Sequence, residues 1–254
     1  MAFSHAIVRR PGARLADGIT TAALGPPDID RARRQHDGYI AALEACGLDV
    51  TVLPGDNEHP DSVFVEDVAL LTPGCAIVTR PGADSRRGET DGWHSVLSRH
   101  FTDVRRITAP GTVEGGDILA VDGHYYIGLT ERTNANGAQQ VIAVLESVGL
   151  GGATVSVNRL LHLKTGIAYL GGGHMVVADE MAGMAAFADF RHIWVPPSEG
   201  YAANCLQING TVLVADGFPE TAARIAAAGF TVQTVAVDEF QKLDGGLSCL
   251  SLRF

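Results

Sequence analysis

The 254-residue sequence contains no apolar run long enough to cross a bilayer, and its opening stretch MAFSHAIVRRPG lacks the apolar core of a secretory signal. Cysteine is scarce. The four thiols, Cys46, Cys75, Cys205 and Cys249, show neither CxxC spacing nor a dense disulfide framework, which fits a reducing cytoplasm. Basic residues are outnumbered 19 to 29 by acidic ones, and no Arg/Lys stripe exists, which argues against a nucleic-acid partner. HExxH is missing, and GLGGA and LGGGH lack both a following Lys-Ser/Thr and a GxGxxG helix start, so a zincin site and a phosphate loop are set aside. The net charge of −10 has a plain reading, solubility, and a functional one, attraction of a cationic small molecule.

What the sequence does have is a repeat. HAIVRRPG at 5–12 and CAIVTRPG at 75–82 are nearly one string, a strand ended by Pro-Gly. Four amphipathic segments each lead into a β-rich run: 28–54 with Gly47 as C-cap, 87–110, 133–158 with Thr133 or Asn134 as N-cap, and 218–237 ended by Gly229. Hairpins lie between them. Asp122-Gly123 and Asn209-Gly210 are type I′ turn dipeptides, and VFVEDVALLTPGCAIVTR and IAYLGGGHMVVAD read as two further hairpins. Residues 181–195 are expected to give a shorter helix and a strand.

The unit is therefore ββαβ, with complete copies starting near Val63, Gly116, Ile167 and Cys205. An N-terminal strand, HAIVRR, has no hairpin partner, and the C-terminal run SCLSLRF is a strand without a unit. Pairing the two closes a ring and removes exposed sheet edges. The expected fold is an α/β five-bladed propeller with pseudo-five-fold symmetry, one domain over 1–254, with an open α/β sheet as the alternative.

Polar residues recur at the entry to each hairpin: Asp61, Glu66 and Asp67; Glu114 and Asp117; His162 and Lys164; Asn204; and Cys249 in the closing strand. In a ring of like units these positions converge on the axis. A thiol, an imidazole and carboxylates meeting there suit nucleophilic catalysis. Each has a duller reading. A free Cys is commonly a small core hydrophobe, but Gly245-Gly246 ahead of Cys249 permits close backbone approach and favours a nucleophile. His162 is set in an alternating run and is preferred as the base over a satisfied core histidine. Carboxylates within VFVEDVALL are costly to bury unpaired, and a bound cation relieves that cost. A required metal is not expected.

DSVFVEDVALL, TRPGADSRRGE, TVEGGDIL, GLTERTNANG, LHLKTG, YAANC and DGGLSCLSLRF, in order along essentially the whole chain, resemble the dimethylarginine dimethylaminohydrolase family, relatives of arginine deiminase. The resemblance implies a five-bladed α/β propeller. It implies Cys249 as nucleophile, His162 as general acid/base and Glu114 orienting His162. It also implies Asp67 and Glu66 on the substrate guanidinium, and Arg86 and Arg132 on its α-carboxylate. Asp61 and the Ile19 carbonyl would receive the α-amino group, and the Leu243 carbonyl the guanidino nitrogens. The loop at 12–28 fits the family's mobile lid.

The implied reaction converts Nω,Nω-dimethyl-L-arginine, and the monomethyl form, to L-citrulline and the methylated amine through a cysteine thiouronium, without cofactor or metal. The rivals are an arginine deiminase that releases ammonia, which usually carries an extra helical domain, and a non-catalytic arginine-binding protein of the same fold. A methylated arginine is the expected partner, a homodimer is left open, and neither membrane nor nucleic acid is expected.

Overall fold

The computed structural model describes residues 2–254. Each of its five sheets has three strands, and each middle strand pairs antiparallel on one side and parallel on the other. The first blade holds β1 (His5–Arg9), α1 (Ile29–Ala45) and β2 (Asp49–Leu53). The second runs β3 (Ala69–Leu71), β4 (Ala76–Val78), α2 (Trp93–Leu97), β5 (Val104–Arg106). The third runs β6 (Ile118–Val121), β7 (His124–Leu129), α3 (Ala135–Ser147), β8 (Gly151–Ser156). The fourth has β9 (Ile167–Gly171), β10 (His174–Val177) and β11 (Arg191–Trp194). The fifth has β12 (Leu206–Ile208), β13 (Thr211–Ala215), α4 (Pro219–Ala227) and β14 (Thr231–Val235). After α5 (Asp238–Gln241), β15 (Leu252–Arg253) returns to the first blade.

The ring closes as the orphan strands require. Ala6 pairs with Arg253 and Ile7 with Leu252, antiparallel, and the amide of His5 donates to the Phe254 carbonyl at 2.8 Å. The ring then holds through side-chain alternation. Ala6 and Val8 pack with Leu206, Ile208 and Leu213 of the fifth blade, while Ile7 between them packs with Ala76 and Val78 of the second. Likewise Ile118 faces the second blade and Leu119 the fourth. Middle strands buried on both faces explain the continuous apolar runs HAIV and CAIV. The turns follow their sequences: Asp122-Gly123 and Asn209-Gly210 have positive φ at both positions, as a type I′ turn needs. Asn134, not Thr133, caps α3, accepting from the Gly137 amide at 2.8 Å.

Four expectations need correction. The segment from Val63 is no strand; Val65–Val68 forms a 3₁₀ turn and the strand starts at Ala69. Adjacent strand residues point to opposite faces, whereas this turn buries Glu66 and Asp67 together. His162 immediately precedes a 3₁₀ turn, Leu163–Thr165, rather than sitting in an alternating strand, and Cys249 lies in the 3₁₀ turn Ser248–Leu250, ahead of β15. Finally, residues 181–195 give short 3₁₀ turns, Asp179–Met181 and Ala185–Phe187, before β11. Gly183, at φ +78, separates the two turns and stops a continuous helix. Among the described residues, no helix is long and apolar enough to cross a membrane.

Candidate active site

At the axis, the blade-entry turns are joined in a closed cycle of hydrogen bonds. Ser248 Oγ donates to Glu66 Oε2 at 2.6 Å, and the Gly116 amide donates to Asp67 Oδ1 at 2.9 Å. The Leu163 amide donates to Asp117 Oδ1 at 3.0 Å. Asn204 Nδ2 donates to the Lys164 carbonyl at 2.9 Å, and Asn204 Oδ1 accepts from the Ser248 amide at 2.9 Å. The polar residues that recur at hairpin entries along the chain thus occupy one position in consecutive blades, each tied to the next.

Inside this cycle His162 Nε2 lies 2.7 Å from Glu114 Oε2. Burial works against a charged imidazole, but Asp67, the Glu114 hydrogen bond and Asp117 outweigh it and lift His162 to about 9. The same contact works on Glu114. Burial pushes its carboxyl up, the His162 bond and charge pull it down further, and it settles at about 2. The other Glu114 oxygen accepts from the amides of Gly82 and Ala83 at 3.1 and 3.3 Å, so the carboxylate is fixed at both ends. At neutral pH the pair is an imidazolium held by a carboxylate.

Space for that pair depends on glycine. A Cβ on Gly116 would stand 2.6 Å from His162 Nδ1 and 3.0 Å from Asp67 Oδ1, and one on Gly115 only 2.0 Å from the Glu66 carbonyl oxygen. The EGGD string, weak as a motif, is therefore a steric requirement of the site.

Cys249 is half-buried, and its Sγ accepts from the Gly246 amide at 3.4 Å. Burial, with Glu66 and Asp67 adding negative charge, pushes the thiol up to about 12, against the pull of that amide and Lys164. A resting thiol, not a thiolate, follows. His162, Lys164, Asn204, Asp244, Ser248 and Cys249 line one cavity of about 30 Å3, which brings sulfur and imidazole to a common space. That volume accommodates a water or two and no amino acid. Gly245 and Gly246 lead in as expected from close approach: a Cβ on either would strike Phe64 at 2.1 Å or Asn204 at 2.5 Å.

The loop at 12–28 is tied to Asp244, which lines this cavity. Asp244 Oδ2 accepts from the Thr21 amide at 2.6 Å and from the Thr21 and Thr20 hydroxyls at 3.0 and 3.3 Å. Asp61 accepts from the Ile19 amide at 3.0 and 3.2 Å, which brings together the two residues expected to receive the α-amino group. Burial raises the Asp61 carboxyl. Leu243, buried, packs beneath the same loop at Gly18.

Two expected substrate contacts are already occupied. Arg86 is buried, and its guanidinium pairs with Asp67 at 2.6 Å and with Glu89 at 2.8–3.1 Å, while also donating to the Phe64 carbonyl. It braces Asp67 rather than presenting an open fork to an incoming carboxylate. Glu66 is likewise taken up by Lys164 at 2.7 Å, Arg253 at 3.1 Å and Ser248. Arg132 remains the open guanidinium, with one 3.6 Å contact to Glu114. Glu89, Asp244, Ser248 and Arg253 escaped sequence reading. Glu89 had a signal, three residues after Arg86 in RRGE, and Arg253 another, as the one charge in SLRF.

Asp67, Glu114 and His162 also present ligand atoms within 4.8 Å of one another, a spacing that could hold a metal ion. The positive charge that such buried carboxylates demand is supplied here by Arg86 and the imidazolium.

Comparison with known proteins places the chain in a family. Residues 27–185 match the family described as N,N dimethylarginine dimethylhydrolase, eukaryotic. The chain is 50% identical over 253 residues to the N(G),N(G)-dimethylarginine dimethylaminohydrolase of Pseudomonas aeruginosa, covering 99% of this chain and 100% of that one. It is 36% identical to the corresponding protein of Streptomyces coelicolor, covering 100% and 98%. The solved structure of a cysteine-to-serine variant of the Pseudomonas aeruginosa enzyme complexed with citrulline superposes with a TM-score of 0.98 at 49% identity, all of both chains covered. The N-terminal domain of a cyanobacterial arginine dihydrolase shares the fold at 18% identity, with a TM-score of 0.88. This chain belongs to the dimethylarginine dimethylaminohydrolase family.

Proposed function

We propose that this chain, acting as one catalytic domain, hydrolyses Nω,Nω-dimethyl-L-arginine and Nω-monomethyl-L-arginine to L-citrulline and the methylated amine, with Cys249 as nucleophile. The observation that carries the reading is the sharing of one cavity by Cys249 and a His162 held protonated by Glu114. The family membership and a relative solved with citrulline give the substrate class.

Each group has a task. Asp67, braced by Arg86, takes the substrate guanidinium, and the Leu243 carbonyl meets its nitrogens. Arg132 takes the α-carboxylate, and Asp61 with the Ile19 carbonyl takes the α-amino group. Arrival of the cation beside a thiol near 12 lowers its pKa, and its proton leaves to solvent. The thiolate adds to the guanidinium carbon. His162, already an imidazolium, gives its proton to the dimethylamine nitrogen as the C–N bond breaks, leaving an S-alkylthiouronium and a neutral imidazole. Water then adds to that carbon while His162 takes its proton. Collapse breaks the C–S bond, forms the citrulline C=O and returns the sulfur and imidazolium to their starting states.

The four free cysteines support a reducing, cytoplasmic setting. Purified protein given dimethylarginine should release citrulline and dimethylamine in equal amounts, and Cys249→Ser should release neither. Turnover by the serine variant at the wild-type rate would remove Cys249 from the mechanism. Ammonia from plain arginine, without action on methylated arginine, would assign the site to the deiminase rival.

A further inference from the structure

We propose that Asn204 is a positioning residue for the nucleophile, holding the Cys249 turn through Ser248; the proposal rests on Cys249 being the nucleophile. Asn204 is buried between the fourth-blade turn and the C-terminal turn. Its side-chain oxygen accepts from the Ser248 amide at 2.9 Å, while its Nδ2 donates to Ser248 Oγ at 3.0 Å and to the Lys164 carbonyl at 2.9 Å. Both amide protons and the carbonyl are used, and two of the three bonds fall on the residue preceding Cys249. No other side chain of similar size supplies one acceptor and two donors in a plane.

The contact extends to the sulfur's own support. Gly246 packs on Asn204 so closely that a Cβ would stand 2.5 Å from its side chain, and the Gly246 amide donates to Cys249 Sγ. Asn204 therefore borders both ends of the short loop that carries the thiol. Ser248, in turn, passes the restraint to Glu66 through its 2.6 Å bond. Four residues, Glu66, Lys164, Asn204 and Ser248, also line a second cavity of about 540 Å3 that opens between the blades behind the catalytic one. Leu247 and Leu250 anchor the nucleophile turn in packed core, whereas its Ser248 side borders this open space and is held there by hydrogen bonds from Asn204. A thiol displaced by even an ångström loses its line to the guanidinium carbon, a displacement that costs about a hundredfold in rate.

The test compares Asn204→Ala, Asn204→Asp and Ser248→Ala with wild type, each normalised to folded protein by thermal unfolding. Asn204→Ala should lower kcat on dimethylarginine by roughly ten- to a hundredfold while moving KM less than about threefold. It should also slow iodoacetamide alkylation of Cys249 and shift the pH midpoint of that alkylation. Asn204→Asp keeps the acceptor for the Ser248 amide and loses both donors, so it should fall between. Ser248→Ala keeps the amide contact and should do the same. Cys249→Ser serves as the control for the underlying reading: if it retains turnover, the nucleophile assignment fails. With that control inactive, an Asn204→Ala protein whose kcat and alkylation profile match wild type, or whose defect lies in KM alone, overturns the positioning role.

Discussion

His162 and Glu114 form a buried ion pair, 2.7 Å apart: Asp67 and Glu114 together lift His162 to about 9, and His162 draws Glu114 down to about 2. The proposed mechanism requires His162 to be protonated when the amine leaves, so turnover should decline as pH rises through about 9. Glu114→Gln removes one of the charges that holds the proton, and the alkaline limb of kcat should move down by roughly one unit or more. A pH–rate profile of the two proteins checks it. An unmoved limb would mean another group titrates there.

The same pair affects stability, and a second histidine opposes it. His162 keeps its proton to about 9 when folded, against an ordinary 6.5, so its contribution is full below 6.5 and lost as pH rises through 9. His36, buried on α1 beside Phe240 with neither ring nitrogen hydrogen-bonded, is pushed by burial down to about 4. Its contribution is present above 6.5 and is lost as pH falls toward 4, on the order of 3 kcal/mol. Urea midpoints should therefore fall between pH 6.5 and 4.5, and His36→Leu should flatten that fall. An equal acid slope in the variant would place the loss elsewhere.

Gly116→Ala should fold and lose activity. The added methyl has its first contact with the His162 ring at 2.6 Å, so the imidazole must shift from Glu114 or from the cavity. A drop in kcat of roughly a hundredfold, with far-UV circular dichroism unchanged, is expected. Near-normal kcat would show that the ring has room the structure does not display.

Asp244 sits at φ +58 and gathers three donors from Thr20 and Thr21, which fastens the 12–28 loop to a residue that lines the cavity. Asp244→Gly keeps the backbone conformation and removes the acceptor. KM for dimethylarginine should rise by about tenfold, with a smaller change in kcat, as the loop loses its hold. An unchanged KM in steady-state assays would free the loop from any part in binding.

The ring architecture was legible because the repeat is written in the apolar strings themselves: HAIV and CAIV demand burial on both faces, and the unpaired ends demand each other. The residue types of the candidate site were legible for a related reason, since carboxylates, His162 and Cys249 stand out against apolar neighbours. Their local conformation was not. Glu66-Asp67, His162 and Cys249 all read as strand by composition, yet each belongs to a tight turn at blade entry, where hydrogen bonds to the next blade override local propensity. The occupation of Arg86 by Asp67 and Glu89 was also hidden, because its α-carboxylate role came from the resemblance and nothing in the sequence locates its partners. Ser248 and Asp244 carried no pattern at all; their roles arise from residues about forty or more than two hundred positions away.

The central claim is that Cys249 carries the substrate carbon during turnover. Acid quenching of the enzyme in steady state with dimethylarginine, followed by mass analysis of its peptides, tests this directly. The account predicts an adduct equal to substrate less dimethylamine on the peptide bearing Cys249, lost in Cys249→Ser. A substrate-derived adduct on another residue, or undiminished turnover by the serine variant, would contradict it.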